Sequence, residues 1–160
     1  MDAAFPRITR AAAADWASAQ RLVDFRGHAI AERVDRGSGD GRAGPGAATP
    51  LLTLHGFPTA SLDWWPLWPA LTARGPVLAF DLLGFGRSAK PRGHAYSLLE
   101  QADLAEARVR AQGWAEVDVL AHDYGDSVAQ ELMARAAEGR LPFRLRRVVL
   151  LNGGIVPGAH

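Results

Sequence analysis

The feature that most constrains the fold is a regular alternation of short apolar segments with longer amphipathic ones from Pro50 onward. Each intervening stretch is long enough for a helix, which is the crossover that parallel strands require. The sequence therefore predicts a mostly parallel sheet with helices on both faces, an α/β class of fold. The predicted strands of this part are residues 51–54, 77–80, 117–121 and 148–151.

The rest of the chain gives weaker but consistent signals. Residues 21–26 and 28–34 alternate apolar and polar positions around Gly27, which predicts an antiparallel hairpin. Ser97 followed by Glu100 is a capping-box pattern at the start of a helix. The Gly-rich tract 35–48 indicates a surface loop. The predicted helices span residues 11–20, 65–73, 97–112 and 124–138, and we assign 1–20 to an N-terminal extension and 21–160 to the core.

Composition excludes several classes of function. The formal net charge of +1 and the lack of a Lys/Arg stripe argue against a nucleic-acid partner. The absence of cysteine excludes disulfides, thiolate metal sites and a cysteine nucleophile. No apolar run approaches the ~20 residues of a membrane span, and the first residues do not resemble a secretory signal. We expect a cytoplasmic protein with no metal and no cofactor.

A candidate nucleophile lies where the strand 117–121 meets the next helix. The residues at this junction are His122, Asp123, Tyr124 and Gly125. An abrupt turn from strand to helix, flanked by small residues, is typical of a nucleophile elbow, which exposes the side chain at its centre. Asp123 holds that central position, so the expected chemistry is a covalent ester on a carboxylate.

Ser127 is the alternative nucleophile, because Gly125, Ser127 and Ala129 loosely match the G-x-S-x-A pattern of serine hydrolases. Its position is less suitable, since it lies about one helical turn after the junction. A serine there more often bonds a preceding backbone carbonyl. We therefore favour Asp123 and keep a serine esterase as the second hypothesis.

Two loops that follow the earlier strands are expected to surround Asp123. After residues 51–54 comes a His-Gly-Phe-Pro turn in which the X-Pro bond is a candidate for the cis form. The backbone N–H groups of Phe57 and Tyr124 are candidate oxyanion donors, although a plain strand-ending turn is the alternative. The residues expected to support the loops are His55, Gly56, Pro58, Asp81, Gly84, Gly86 and Ser88.

The glycines of the second loop superficially resemble a dinucleotide fingerprint, Gly84-x-Gly86-x-x-Ala89. That motif needs a helix that opens on the glycines, and the tract 90–93 interrupts any such helix. We therefore exclude nucleotide binding. Trp64 and Trp68 are spaced to share one helical face, so core packing is their default role. Trp64 and Tyr124 are nevertheless candidate substrate contacts.

Three motifs together carry a family resemblance: H-G-F-P at 55–58, D-L-L-G-F-G-R-S at 81–88 and H-D-Y-G-D at 122–126. In this order and spacing, the chain resembles α/β-hydrolase-fold proteins, and within them the branch with an aspartate nucleophile. That branch contains epoxide hydrolases and haloalkane dehalogenases. The chain is most similar to its mesoderm-specific transcript protein group, and the resemblance extends over roughly residues 20–160.

The resemblance implies that Asp123 attacks an electrophilic carbon of a small apolar organic substrate. A water molecule activated by a histidine would then hydrolyse the alkyl ester, with the oxyanion held by Phe57 and Tyr124. Haloalkane dehalogenases commonly have a tryptophan after the nucleophile. Because Tyr124 stands there instead, dehalogenation is disfavoured.

The resemblance covers only the N-terminal part of such a fold. In the family, the acid and the histidine follow the nucleophile, whereas this sequence ends at His160, just past the sixth predicted strand. Asn152 occupies the neighbourhood where some relatives carry the acid, and we do not assign the base to His160. We expect the isolated chain to lack turnover, the cap and the last strands. A non-catalytic binding fragment, self-associating through an unpaired sheet edge, is a third hypothesis.

Overall fold

The fold is built on one six-stranded sheet. A computed structural model describes residues 7–37 and 48–153. The strand order is β1-β2-β4-β3-β5-β6. Strands β1 and β2 form an antiparallel hairpin, β2 pairs antiparallel with β4, and β3 to β6 run parallel. The predicted fold class is therefore confirmed. The strands are β1 (Arg21–Phe25), β2 (His28–Asp35), β3 (Leu51–Leu54), β4 (Val77–Phe80), β5 (Glu116–His122) and β6 (Arg144–Leu151).

The described residues form four α-helices and one 3-10 helix; the first α-helix precedes β1, and the others connect the strands. The Ser97 hydroxyl accepts a hydrogen bond from the Glu100 N–H at 3.1 Å, as the capping-box pattern predicts. Part of the predicted loop 35–48, residues 38–47, lies outside the described residues. The helices are α1 (Arg10–Ser18), the 3-10 helix (Ser61–Leu67), α2 (Trp68–Thr72), α3 (Leu98–Ala111) and α4 (Tyr124–Ala137).

Two predicted boundaries were wrong. A single helix over 65–73 is in fact the end of the 3-10 helix followed by the short α2. Pro66 and Pro69 explain the break, because proline has no N–H to donate to a continuous helix. Strand β6 begins at Arg144 rather than at 148. Its arginines interrupt the apolar pattern from which the strand was predicted. In the structure, Arg147 forms hydrogen bonds with Asp118 on β5.

Apolar side chains fill both faces of the sheet. In β4, Leu78 and Phe80 belong to the core cluster that α3 and α4 cover. Val77 and Ala79 face the other way, into a cluster with the tryptophans of α1, the 3-10 helix and α2. All four β4 residues are buried, as expected for a central parallel strand that is covered on both sides.

Helix α4 begins unusually close to the end of β3. A Cβ atom at Gly125 would lie 2.5 Å from the Leu54 carbonyl oxygen and 2.8 Å from that of His55. Both neighbours are backbone atoms, which cannot move aside as a flexible side chain can. Gly125 therefore sets the distance between the first turn of α4 and the carboxyl end of β3.

We expect Gly125→Ala to lower the free energy of unfolding by about 1–3 kcal/mol, the usual cost of overpacking. Helix propensity alone predicts the opposite sign, because alanine is the better helix former by up to ~1 kcal/mol. Chemical denaturation would measure the change, with the exposed Met133→Ala on the same helix as control. An unchanged or increased stability of Gly125→Ala would contradict the packing argument.

Candidate active site

Asp123 lies between the last residue of β5 and the first residue of α4. Its backbone has φ of +52° and ψ of −114°, a conformation that residues other than glycine rarely adopt. The Asp123 N–H donates to the Leu151 carbonyl at 2.9 Å, and the Asp123 carbonyl accepts from the Asp126 N–H at 3.0 Å. The sharp turn predicted between strand and helix is therefore present at this residue.

One oxygen of the Asp123 carboxylate is held by two backbone donors. Oδ1 accepts from the Phe57 N–H at 2.7 Å and from the Tyr124 N–H at 2.6 Å, while Oδ2 receives neither bond. These two N–H groups, that of Phe57 above all, lower the pKa of Asp123 below its ordinary value of 3.8. The side chain also caps α4, whose N-terminal dipole favours a negative charge. The carboxylate is thus ionised at neutral pH.

The turn after β3 leaves room for the Asp123 carboxylate because it contains a glycine. The Phe57–Pro58 peptide bond is cis. A Cβ atom at Gly56 would lie 2.8 Å from the Asp123 Cβ and 3.1 Å from Oδ1. A larger residue at position 56 would therefore push Asp123 away from the Phe57 N–H.

His55 joins this turn to the loop after β4. Its side chain is fully buried. Nε2 accepts from the Leu82 N–H at 3.0 Å, and Nδ1–H donates to the Gly56 carbonyl at 2.9 Å. Burial lowers the pKa of the imidazole, so it stays neutral. With both ring nitrogens bonded to backbone, His55 supports the loops and does not face a reactant.

The loop 81–88 is organised around the buried Asp81 carboxylate. That carboxylate accepts from the Ser61 N–H at 2.9 Å and from the Arg87 N–H at 2.7 Å. A Cβ atom at Gly86 would lie 2.2 Å from Asp81 Oδ2, which explains the glycine. The Ser88 hydroxyl accepts from the Ala31 N–H at 3.0 Å and ties the loop to β2. Gly86 thus lies against a carboxylate and Gly84 against the Tyr96 ring, and no helix begins at either glycine.

Aromatic rings form an apolar wall next to Asp123. Phe57 is 67% exposed, and its ring lies edge-on to that of Phe85 at 6.1 Å between centroids. The Phe85 ring is also 5.8 Å from Tyr124 and 5.4 Å from His55. Burial raises the pKa of the Tyr124 phenol, which therefore stays protonated. The surroundings of the carboxylate favour contact with apolar groups.

Other candidate residues lie in different settings. Trp64 is buried in the tryptophan cluster with Trp16 and Trp68, so packing is its observed role and substrate contact stays a prediction. Ser127 lies on α4, three residues after its first residue. Sequence reasoning missed Asp126, a fully buried carboxylate in the first turn of α4. Its position on the face shared with Ala129 and Leu132 was the available signal, but a first-turn acid is common on any helix.

Residues 7–37 and 48–153 contain neither a candidate metal site nor a helix that could span a membrane. That part of the chain brings together no group of three or more His, Asp or Glu side chains suited to a metal ion. In the same part, no helix has the length and apolarity to cross a membrane.

Comparison with known proteins assigns the family. Residues 49–159 match the family model of the alpha/beta hydrolase fold. The chain belongs to this family. It is 52% identical over 115 residues to the LipZ protein of Mycobacterium tuberculosis, a match that covers 72% of this chain and 40% of LipZ. It is 47% identical over 114 residues to the human mesoderm-specific transcript homolog protein, covering 69% of this chain and 34% of that protein.

A haloalkane dehalogenase and an epoxide hydrolase are also similar to this hydrolase-fold chain. The haloalkane dehalogenase of Mycobacterium marinum is 38% identical over 137 residues, or 73% of this chain and 46% of the enzyme. The solved structure of the epoxide hydrolase CorEH superposes with a TM-score of 0.68 at 26% identity, covering 88% of this chain and 45% of that one. The chain thus spans less than half the length of these relatives, and the predicted resemblance to their N-terminal part is confirmed.

The two N–H bonds to Oδ1 make a direct prediction about the titration of Asp123. Because its pKa lies below 3.8, we expect more than half of the Asp123 carboxyl to be ionised at that pH. Carbon-13 NMR of aspartate-labelled protein would follow the titration, and Asp123→Asn would identify the resonance by removing it. A midpoint at or above 3.8 would mean that the two donors do not hold the carboxylate in solution.

Proposed function

We propose that this chain carries the nucleophile of a hydrolase that acts on small apolar substrates with an electrophilic carbon, epoxides in particular. The observation that supports it is the pair of bonds from Phe57 and Tyr124 to a single oxygen of Asp123. Fixing Oδ1 leaves Oδ2 as the attacking atom. It also puts two donors on the oxygen that becomes the ester carbonyl.

In the first step, Oδ2 attacks an epoxide carbon and forms a C–O bond. The ring C–O bond breaks, its electron pair stays on the epoxide oxygen, and that oxygen takes up a proton from the surrounding water. In the second step, a base takes a proton from water as the water oxygen bonds to the ester carbonyl carbon, and negative charge develops on Oδ1. When this intermediate collapses, the acyl C–O bond to the substrate oxygen breaks, which releases the diol and restores the carboxylate. The N–H groups of Phe57 and Tyr124 would stabilise the charge on Oδ1, and one such donor is worth about 2.7–4 kcal/mol of barrier.

Two further observations support an epoxide-type substrate. The rings of Phe57, Phe85 and Tyr124 form an apolar wall beside the carboxylate, which suits a hydrophobic substrate better than a charged one. Epoxide hydrolases and haloalkane dehalogenases are both similar to this chain. Because Tyr124 replaces the tryptophan that is common in the dehalogenases, we favour epoxide opening over halide displacement.

Release of the product requires a base that activates water. His55 cannot serve, since both of its ring nitrogens are bonded to backbone groups. We expect the 160-residue protein to form the ester and to hydrolyse it slowly or not at all, because the resemblance places the catalytic histidine after further strands, beyond the described residues. The covalent intermediate should accumulate, which makes the first step measurable by itself.

We expect styrene oxide, an aryl epoxide, to add to the 160-residue protein once, at Asp123. Intact-mass spectrometry would detect the single adduct, and peptide mapping would locate it. Asp123→Ala should abolish the adduct because Asp126, the other carboxylate near this turn, is fully buried and out of reach of the epoxide. An adduct that persists in Asp123→Ala would overturn the assignment of the nucleophile.

Two control variants separate this reaction from other chemistry. Asp24→Ala removes an exposed aspartate of the β1–β2 hairpin and should leave the adduct unchanged. Ser127→Ala should do the same, and a fluorophosphonate probe should not label Ser127. Labelling of Ser127 by that probe would favour the serine esterase hypothesis instead.

Self-association also stays a proposal. Within the described sheet, β6 lies at the edge, and its Val149 and Leu151 side chains are 49% and 39% exposed. Exposed apolar residues on an edge strand favour pairing between copies. Sedimentation velocity of the 160-residue protein would reveal such dimers.

A further inference from the structure

Asp126 is a buried carboxylate that the proposed chemistry does not use. Its side chain is fully buried, and its Oδ1 accepts from the Leu151 N–H at 3.3 Å. Among the described residues, Oδ2 has no partner in good hydrogen-bonding geometry, although the Gly153 N–H is near enough to lower the pKa of the carboxyl. Burying such a group costs free energy, and an apolar residue of the same size would avoid that cost. The position therefore needs an explanation beyond packing.

Hydrogen bonds connect Asp126 to Asp123 in a closed ring. The Asp123 N–H donates to the Leu151 carbonyl at 2.9 Å, and the Leu151 N–H donates to Asp126 Oδ1. The Asp126 N–H donates to the Asp123 carbonyl at 3.0 Å and closes the ring. Both the N–H and the carbonyl of Leu151 are thus hydrogen-bonded, and the carbonyl binds the N–H of Asp123, the residue with positive φ.

We infer that Asp126 is a positioning residue that keeps Asp123 in its strained conformation by holding Leu151. This inference rests on the proposed function, since it concerns the residue that we propose as nucleophile. When Leu151 is held, the Asp123 carboxylate stays on the N–H groups of Phe57 and Tyr124. When it is released, the backbone of Asp123 can relax, and Oδ1 moves away from these donors.

Gly153, which follows β6, packs closely against the Asp126 side chain. A Cβ atom at Gly153 would lie 2.3 Å from Asp126 Oδ2 and 2.4 Å from its Cβ. A residue with a side chain at position 153 would therefore displace the carboxylate. This close approach confines the Asp126 side chain to the orientation in which Oδ1 reaches the Leu151 N–H.

A test must separate the charge of Asp126 from its role as an acceptor. The pKa of the Asp126 carboxyl is raised, chiefly by burial and to a smaller degree by the charge of Asp123. The N–H groups of Leu151 and Gly153 and the charge of His122 act in the opposite direction. Asp126→Asn removes the charge and keeps the acceptor oxygen. Asp126→Leu removes both at a similar size. The difference between the two variants isolates the hydrogen bond to Leu151.

The experiment measures two quantities in the wild type and both variants, namely the rate of styrene oxide addition at Asp123 and the pKa of Asp123. We expect Asp126→Asn to react within about 3-fold of the wild type and Asp126→Leu to react at least about 10-fold more slowly, because small misplacements of reacting groups cost this much. In Asp126→Leu the pKa of Asp123 should rise toward 3.8. In Asp126→Asn it should not rise, because the two donors stay in place.

Equal behaviour of Asp126→Asn and Asp126→Leu in both measurements would overturn the inference. If Asp126→Leu does not fold, Gly153→Ala replaces it, since the added methyl group must displace the Asp126 carboxylate. The expected result is again slower addition and a raised pKa of Asp123, and wild-type values would overturn the inference. If the wild type itself does not react with the epoxide, the proposed function fails. The pKa comparison still decides whether Asp126 positions Asp123.

Discussion

The backbone conformation of Asp123 is the constraint on which the surrounding structure depends. A positive φ at a residue with a side chain is unfavourable, so neighbouring groups must hold it. Leu151 accepts its N–H, Asp126 donates to its carbonyl, and the Phe57 N–H binds its side chain. Gly56 and Gly125 leave the space that this arrangement needs. Residues that are far apart in sequence thus converge on one turn.

The electrostatics of the site follow from backbone groups more than from charged side chains. The two N–H donors and the N-terminus of α4 stabilise the Asp123 carboxylate, and the neighbouring His122 lowers its pKa to a smaller degree. Such donors are fixed by the fold and need no reorganisation when charge moves from one oxygen to the other. The buried His55 and Asp81 contribute indirectly, because they hold the loops that carry the donors.

The elements that the sequence predicted best are those with one unambiguous local signal. Strands β3 and β4 appear as apolar runs because both of their faces are buried. The start of α3 was predictable from Ser97 and Glu100, because the Ser97 hydroxyl accepts a hydrogen bond from the Glu100 N–H. The region 61–72 was misread, since prolines interrupt an otherwise helical pattern. The start of β6 was missed because its arginines are paired with acids on β5, a partner that lies far away in the sequence.

The sequence alone determined the alternation of strands and helices, the position of the turn at Asp123 and the presence of glycine beside it. These properties are local, because they depend on which side chains are apolar and which backbone conformations a residue tolerates. Only the tertiary structure decided that Phe57 and Tyr124 bind the same oxygen, and that Asp126 reaches Leu151. Those contacts depend on the register of β3, β5 and β6. Register is set by the packing of the whole sheet, and no short segment encodes it.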